Sequence, residues 1–104
     1  MNILLYSSSP VISNMISNIL SDDNITVSTN PNGFVNNDYH LIMLEDGLFS
    51  ESVFTHSIPV LLITTPQKEV LCQIVVSNHG GYIYKPFTPD ELINVVNKLT
   101  IDND

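Results

Sequence analysis

Short, wholly apolar runs alternate along this chain with longer stretches in which apolar residues return every three or four positions. The two periods divide it into strands and helices. Ile3, Leu4 and Leu5 stand together within residues 2–6, a strand buried on both faces. Ser9 is a good N-cap, Pro10 fits a first helical turn, and Val11, Ile12, Met15, Ile16, Ile19 and Leu20 fall on one helical face. Residues 21–24 read as a turn and 25–28 as a short second strand. Residues 29–38 hold Asn30-Pro31-Asn32-Gly33 and Asn36-Asn37, which is turn chemistry with little room for a helix. A third strand spans 39–44 and is ended by Glu45-Asp46-Gly47. Residues 48–57 allow one or two helical turns at most. A fourth strand covers 58–63, closed by Thr64-Thr65-Pro66, and a helix follows over 67–78 with His79-Gly80-Gly81 as its stop. Residues 82–84 make a fifth strand. Thr88-Pro89-Asp90-Glu91 is a capping box, and Leu92, Ile93, Val95, Val96 and Leu99 give the last helix its apolar face.

Apolar strands alternating with helices call for a parallel sheet covered on both faces. Ligand chemistry in such sheets gathers at the carboxyl ends of the strands. Those ends are Ser7-Ser8-Ser9, Glu45-Asp46, Thr64-Thr65 and Lys85-Pro86.

Composition narrows the function. With 104 residues and 43% hydrophobic content, the chain is expected to be one domain with a small core. No apolar run approaches the ~20 residues of a membrane span. The first residues lack the basic start of a signal peptide, so a cytoplasmic location is expected. The net charge is −8, with Lys68, Lys85 and Lys98 the only cationic side chains and no arginine. Phosphate neutralisation by lysine and arginine drives nucleic-acid binding, so no direct nucleic-acid contact is expected, nor contact with an anionic membrane. The acidity favours a basic patch on a protein partner.

Cys72, the one cysteine, sits among Val70, Leu71, Ile74 and Val75 and reads as a buried thiol. His40, His56 and His79 lack metal-ligand spacing, and His79 reads as a helix-end residue. The serine run has no triad-like partners and no P-loop glycines. No catalytic residue, metal or cofactor is expected.

Lys85-Pro86-Phe87, between Gly80-Gly81-Tyr82-Ile83-Tyr84 and a helix start, holds a lysine at a strand end, where the proline restricts it. This segment resembles the end of a response-regulator receiver (CheY-like) domain. The resemblance runs nearly the length of the chain, 1–104, in order. Residues 3–10 resemble the receiver opening. His40-Leu41-Ile42-Met43-Leu44-Glu45 resembles the third strand and its phosphoacceptor, and Ile58-Pro59-Val60-Leu61-Leu62-Ile63-Thr64 resembles the strand ending in the switch Thr or Ser. The resemblance implies an α/β, doubly wound, five-stranded parallel sheet in the order 2-1-3-4-5, here with the second and third helices shortened or missing. It places Glu45 at the phosphoacceptor, with Asp46 as rival, Thr64 and Tyr82 at switch positions, Lys85 at the family's lysine and a cis bond before Pro86. It implies two-component signal transduction without enzymatic turnover. The partner is then a protein or a second copy, bound through the fourth helix, fifth strand and fifth helix.

The departures alter that picture. Ser7 and Ser8 stand where receivers carry an acidic pair. Mg²⁺ asks for carboxylate oxygens, and Glu45 is one methylene longer than aspartate. A misplacement of about 1 Å can cost ~100-fold in rate. A receiver uncoupled from phosphorylation is therefore expected, with a Glu45–Lys85 ion pair holding an activated-like state. Two alternatives remain. One is a receiver weakly phosphorylated on Asp46 or Glu45. The other is a phosphocarrier similar to sugar-phosphotransferase IIB proteins, with Ser7 or Ser8 in place of their cysteine. The shortened helices expose one sheet face unless the loops and Phe34, Phe49 and Phe54 cover it.

Overall fold

The computed structural model describes residues 1–32 and 38–101. Strands β1 (Asn2–Tyr6), β2 (Asn24–Ser28), β3 (Leu41–Glu45), β4 (Val60–Thr64) and β5 (Gly81–Tyr84) form one parallel sheet in the order β2-β1-β3-β4-β5. This is the expected 2-1-3-4-5 order. Helices α1 (Pro10–Ile19) and α2 (Glu69–Ser77) return the chain between strands, and α3 (Pro89–Ile101) follows the last strand.

Alternation along the strands sorts the core into two layers. Ile3, Leu5, Leu41, Met43, Leu61, Ile63 and Ile83 meet Ile16 and Leu20 from α1 and Leu92 and Val96 from α3. Leu4, Tyr6, Ile42, Leu44, Val60 and Leu62 face the other way, against Cys72 and Val75 of α2 and against Val53. Local signals start the helices as expected. Ser9 Oγ accepts the Ile12 amide at 3.3 Å. Thr88 and Glu91 exchange both arms of the capping box, at 3.1 and 3.2 Å. Thr65 makes no such side-chain bond, and the helix expected from residue 67 instead begins as a 3-10 turn, Pro66–Lys68, before α2.

The second layer is the thinner one. Between β3 and β4 stand only 3-10 turns, Asp46–Leu48 and Glu51–His56. Between β2 and β3, the Asn30 amide bonds Ser28 Oγ and the Asn32 amide bonds Asn30 Oδ1, the turn chemistry read from the sequence. The expected loss of a helix there falls largely on residues 33–37, outside the described residues, as does Phe34. Leu48, Phe49, Phe54 and Tyr39 pack on the second layer, with the Phe49 and Phe54 rings 6.2 Å apart. Strand register explains how a thin layer suffices. Asn24, Thr26 and Ser28 of β2 pair with Asn2, Leu4 and Tyr6, so β2 turns its polar side toward that layer.

α2 ends in a Schellman motif. The His79 amide bonds the Val76 carbonyl, and the Gly80 amide bonds the Val75 carbonyl. His79, not a glycine, takes the left-handed position, with φ 64°. Gly80 serves packing instead. A Cβ there would press on the Val60 carbonyl and lie 2.6 Å from Val75 Cγ1. Gly80→Ala is therefore expected to destabilise by about 1–3 kcal/mol. His79→Gly, which relieves the left-handed backbone, should stabilise by ~1 kcal/mol. Urea denaturation of the two variants checks the opposite signs.

Candidate functional site

The polar residues at the carboxyl ends of β1, β3 and β4 inherit the alternation of their strands and divide into two pairs. Ser7 continues the series of Ile3 and Leu5, and Glu45 that of Leu41 and Met43. Both side chains therefore lie toward the α1–α3 layer. Thr64 continues Val60 and Leu62, toward the other layer, where Asp46 meets it.

The first pair is the more buried. Ser7 is 3% exposed and Glu45 8%, and Ser7 Oγ lies 2.6 Å from Glu45 Oε1. That separation is typical of a hydroxyl donating to a carboxylate. The single hydroxyl proton goes to the carboxylate in preference to the Ser9 carbonyl, which is 3.2 Å away. The same oxygen accepts the Ser9 amide at 3.1 Å. Ser7 thus ties β1, β3 and the entry to α1 together. Ser8 points to solvent and Ser9 caps α1.

In the second pair, fully buried Thr64 donates its hydroxyl to Asp46 Oδ2 at 2.9 Å. Asp46 opens the 3-10 turn after β3, so it reaches Thr64 from outside the strand.

Lys85 follows β5. Its amide bonds the Thr64 carbonyl at 2.8 Å, and the Lys85–Pro86 bond is cis. The expected Glu45–Lys85 ion pair does not form: among the described residues the one ion pair joins the N-terminus to Asp23. β3 neighbours β1 directly, whereas β4 separates it from β5. The donor that the Glu45 carboxylate meets is Ser7.

Tyr82 and Tyr84 lie opposite Leu62 and Thr64 in register. Both are more than one-third exposed, and their rings lie 5.3 Å apart. With Glu69, Cys72, Gln73, Val76 and Ser77 they line a groove of about 450 Å³ between α2 and β5. Burial pushes the Cys72 thiol above its ordinary value, against the opposing pull of a hydrogen bond with Tyr84. Loss of hydration, then the neighbouring Tyr82 and Cys72, push Tyr84 up as well. Cys72 is therefore a core thiol, not a nucleophile. The sequence did not single out Tyr84, although its two-residue spacing from Tyr82 on a strand was the available signal.

Mg²⁺ does not fit these residues. The Ser7 hydroxyl already donates to Glu45, Asp46 accepts from Thr64, and no cluster of three acidic, histidine or cysteine side chains suited to a metal exists among the described residues. No helix among them is long and apolar enough to cross a membrane.

No family model matches the sequence, and no curated protein matches it. Solved structures do. A two-component response regulator from Clostridium difficile superposes with a TM-score of 0.78 at 18% identity, over 100% of this chain and 99% of that one. A response-regulator receiver protein from Pseudoalteromonas atlantica gives 0.77 at 15% identity, covering 100% of both chains. The ChxR receiver domain from Chlamydia trachomatis gives 0.68 at 16% identity, over 94% of this chain and 96% of that one. The fold is that of receiver domains.

Ser7→Ala strips the buried Glu45 carboxylate of its hydroxyl. It should lower stability by about 1.5–3 kcal/mol, while exposed Ser8→Ala should stay within about 0.5 kcal/mol of the parent. Denaturation midpoints decide this. Cys72 supplies a pH test. Its thiol is raised in the folded chain, so the unfolded chain ionises first and stability falls as pH rises through the ordinary thiol range. Replacing Cys72 by alanine should flatten the fall above pH ~8.

Proposed function

We propose that this chain is a receiver-type signalling module that works by protein–protein contact, without Mg²⁺-dependent aspartyl phosphorylation. The observation that carries this reading is the buried Ser7–Glu45 hydrogen bond. Phosphoryl transfer at such a site depends on a divalent cation to neutralise charge on the transferred group. Here a neutral hydroxyl occupies the acidic-pair position and answers the carboxylate directly. The Ser7 hydroxyl supplies the donor that the buried Glu45 carboxylate needs.

The Asp46–Thr64 bond supports the same reading. A phosphorylated receiver would draw its switch hydroxyl toward the phosphoryl group. In this chain the Asp46 carboxylate is the anion that receives the Thr64 proton, so the switch residue has a fixed anionic partner within the polypeptide. Asp46 as acceptor would have to surrender that bond. The phosphocarrier alternative would require Ser7 to leave Glu45.

The contact surface we assign is α2, β5 and α3, the counterparts of the family's fourth helix, fifth strand and fifth helix. Val76, Tyr82 and Tyr84 are exposed there beside Glu69. Aromatic side chains with a polar tip are favoured contact residues. The net charge of −8 suits a partner carrying basic residues around an apolar centre.

Amide NMR spectra with and without Mg²⁺ plus beryllofluoride, a phosphoryl mimic, test the proposal. The expected result is no clustered shift at Ser7, Glu45, Asp46, Thr64 or Lys85. Saturable shifts confined to those residues would establish a working acceptor pocket and overturn it.

A further inference from the structure

β2 lies at the edge of the sheet, and its own sequence carries none of the usual protections of a free edge. Edge strands are commonly blunted by lysine, proline, a bulge or an inward charge. Asn24-Ile25-Thr26-Val27-Ser28 has no charged residue and no proline, and it pairs with β1 residue for residue without a bulge. The Asn24 amide bonds the Met1 carbonyl, and the Ser28 carbonyl accepts the Ser7 amide. Even-numbered residues of β2 therefore turn their backbone groups to β1. By the alternation of a strand, the amides and carbonyls of Ile25 and Val27 point outward, with no partner among the described residues.

We infer that this edge pairs with the β2 of a second copy, antiparallel about Thr26, to join the two sheets into one of ten strands. The sequence of β2 is self-complementary for this geometry. A two-fold axis at Thr26 sets Ile25 opposite Val27 of the partner copy, Asn24 opposite Ser28, and Thr26 opposite itself. Apolar meets apolar on the α1 side of the sheet, and polar meets polar on the other. The backbone parity agrees as well. Ile25 and Val27, whose groups point outward, become the hydrogen-bonded pairs, and Thr26 becomes the close, non-hydrogen-bonded pair. Val27 is 47% exposed in the single chain and gains an apolar neighbour.

Charge distribution selects a second copy as the occupant. A chain of net charge −8 should repel itself, yet Asp22 and Asp23 are its only charged side chains before Asp38. α1, which flanks the seam, has none. Asp23 is paired with the N-terminus at 2.8 Å. In the two-fold register Asp22 and Asp23 lie opposite Asn30 and Thr29, not opposite acids. α1 thus brings no charge to the apolar face of the seam, while on the polar face Asp38 shares a hollow with Asn2, Asn24 and Thr26.

Sedimentation equilibrium of the whole chain, at increasing concentration and physiological salt, should show the mass rising toward twice the monomer. Thr26 is exposed, so Thr26→Glu and Thr26→Lys can be made without disturbing the core. Each places like charges face to face across the axis and should weaken association at least ~10-fold. Mixing the two should restore it. A Thr26→Cys variant should form an intermolecular disulfide on mild oxidation faster than Asn94→Cys on α3. Close antiparallel pairs lie within disulfide reach, and the native Cys72 is buried. A wild-type chain that remains monomeric at ~1 mM would overturn the proposal. So would association unchanged by Thr26→Glu, a Glu and Lys mixture that stays monomeric, or no preferential cross-link at residue 26. A Tyr82→Ser control separates this edge from the α2–β5 face, because it should leave β2 pairing intact.

Discussion

The central strands of this sheet are buried on both faces, and that constraint shapes the rest of the molecule. Leu41 to Leu44 and Leu61 to Ile63 are wholly excluded from water, so neither face of β3 or β4 can host polar chemistry. Parallel strands all point the same way, and their polar residues are therefore gathered at one end of the sheet. Serine, glutamate, aspartate, threonine and lysine from four strands meet there because the apolar runs before them leave nowhere else. Parity then decides the company each side chain keeps, which is how Ser7 finds Glu45 and Thr64 finds Asp46.

Charge at that end is handled economically. An anion excluded from water needs a donor, since burying it without one is costly. A receiver with two further acids at this place would add like charges and require a cation. At this end the chain carries hydroxyls at Ser7 and Ser8. Ser7 supplies the donor directly, and an amide of the following turn holds the serine oxygen in place. Lys85 makes no ion pair with Glu45. The aromatic pair Tyr82 and Tyr84 on β5 stays partly exposed.

The thin second layer shows a different kind of economy. Where a helix would cover β1 and β2, the β2 residues on that side are Asn24, Thr26 and Ser28, so less apolar surface needs covering. The apolar side of β2 is shared with α1, where Ile25 packs on the core and Val27 remains partly exposed. One alternating strand therefore both lessens the apolar surface presented to the second layer and leaves an uncharged edge.

Much of this was written in local sequence. The strands followed from short apolar runs, and the caps of α1 and α3 from Ser9 and from Thr88-Pro89-Asp90-Glu91, because such signals act over three or four residues. The strand order and the cis bond before Pro86 came through resemblance, carried by the Lys85-Pro86-Phe87 segment. The partner of Glu45 was not legible in that way. Glu45 was expected to reach Lys85 because opposite charges attract. The choice of Ser7 depends on β1 being the neighbour of β3 and on β4 standing between β3 and β5. Nor does sequence fix which residue of His79-Gly80-Gly81 takes the left-handed turn, since that depends on the space left by Val60 and Val75. The sequence by itself determined the elements, their buried sides and the chemistry available at the strand ends. The tertiary structure decided which of those groups are close enough to satisfy one another, because hydrogen bonds and ion pairs act over a few ångströms, and sheet order, strand parity and the turns after the strands together set those distances.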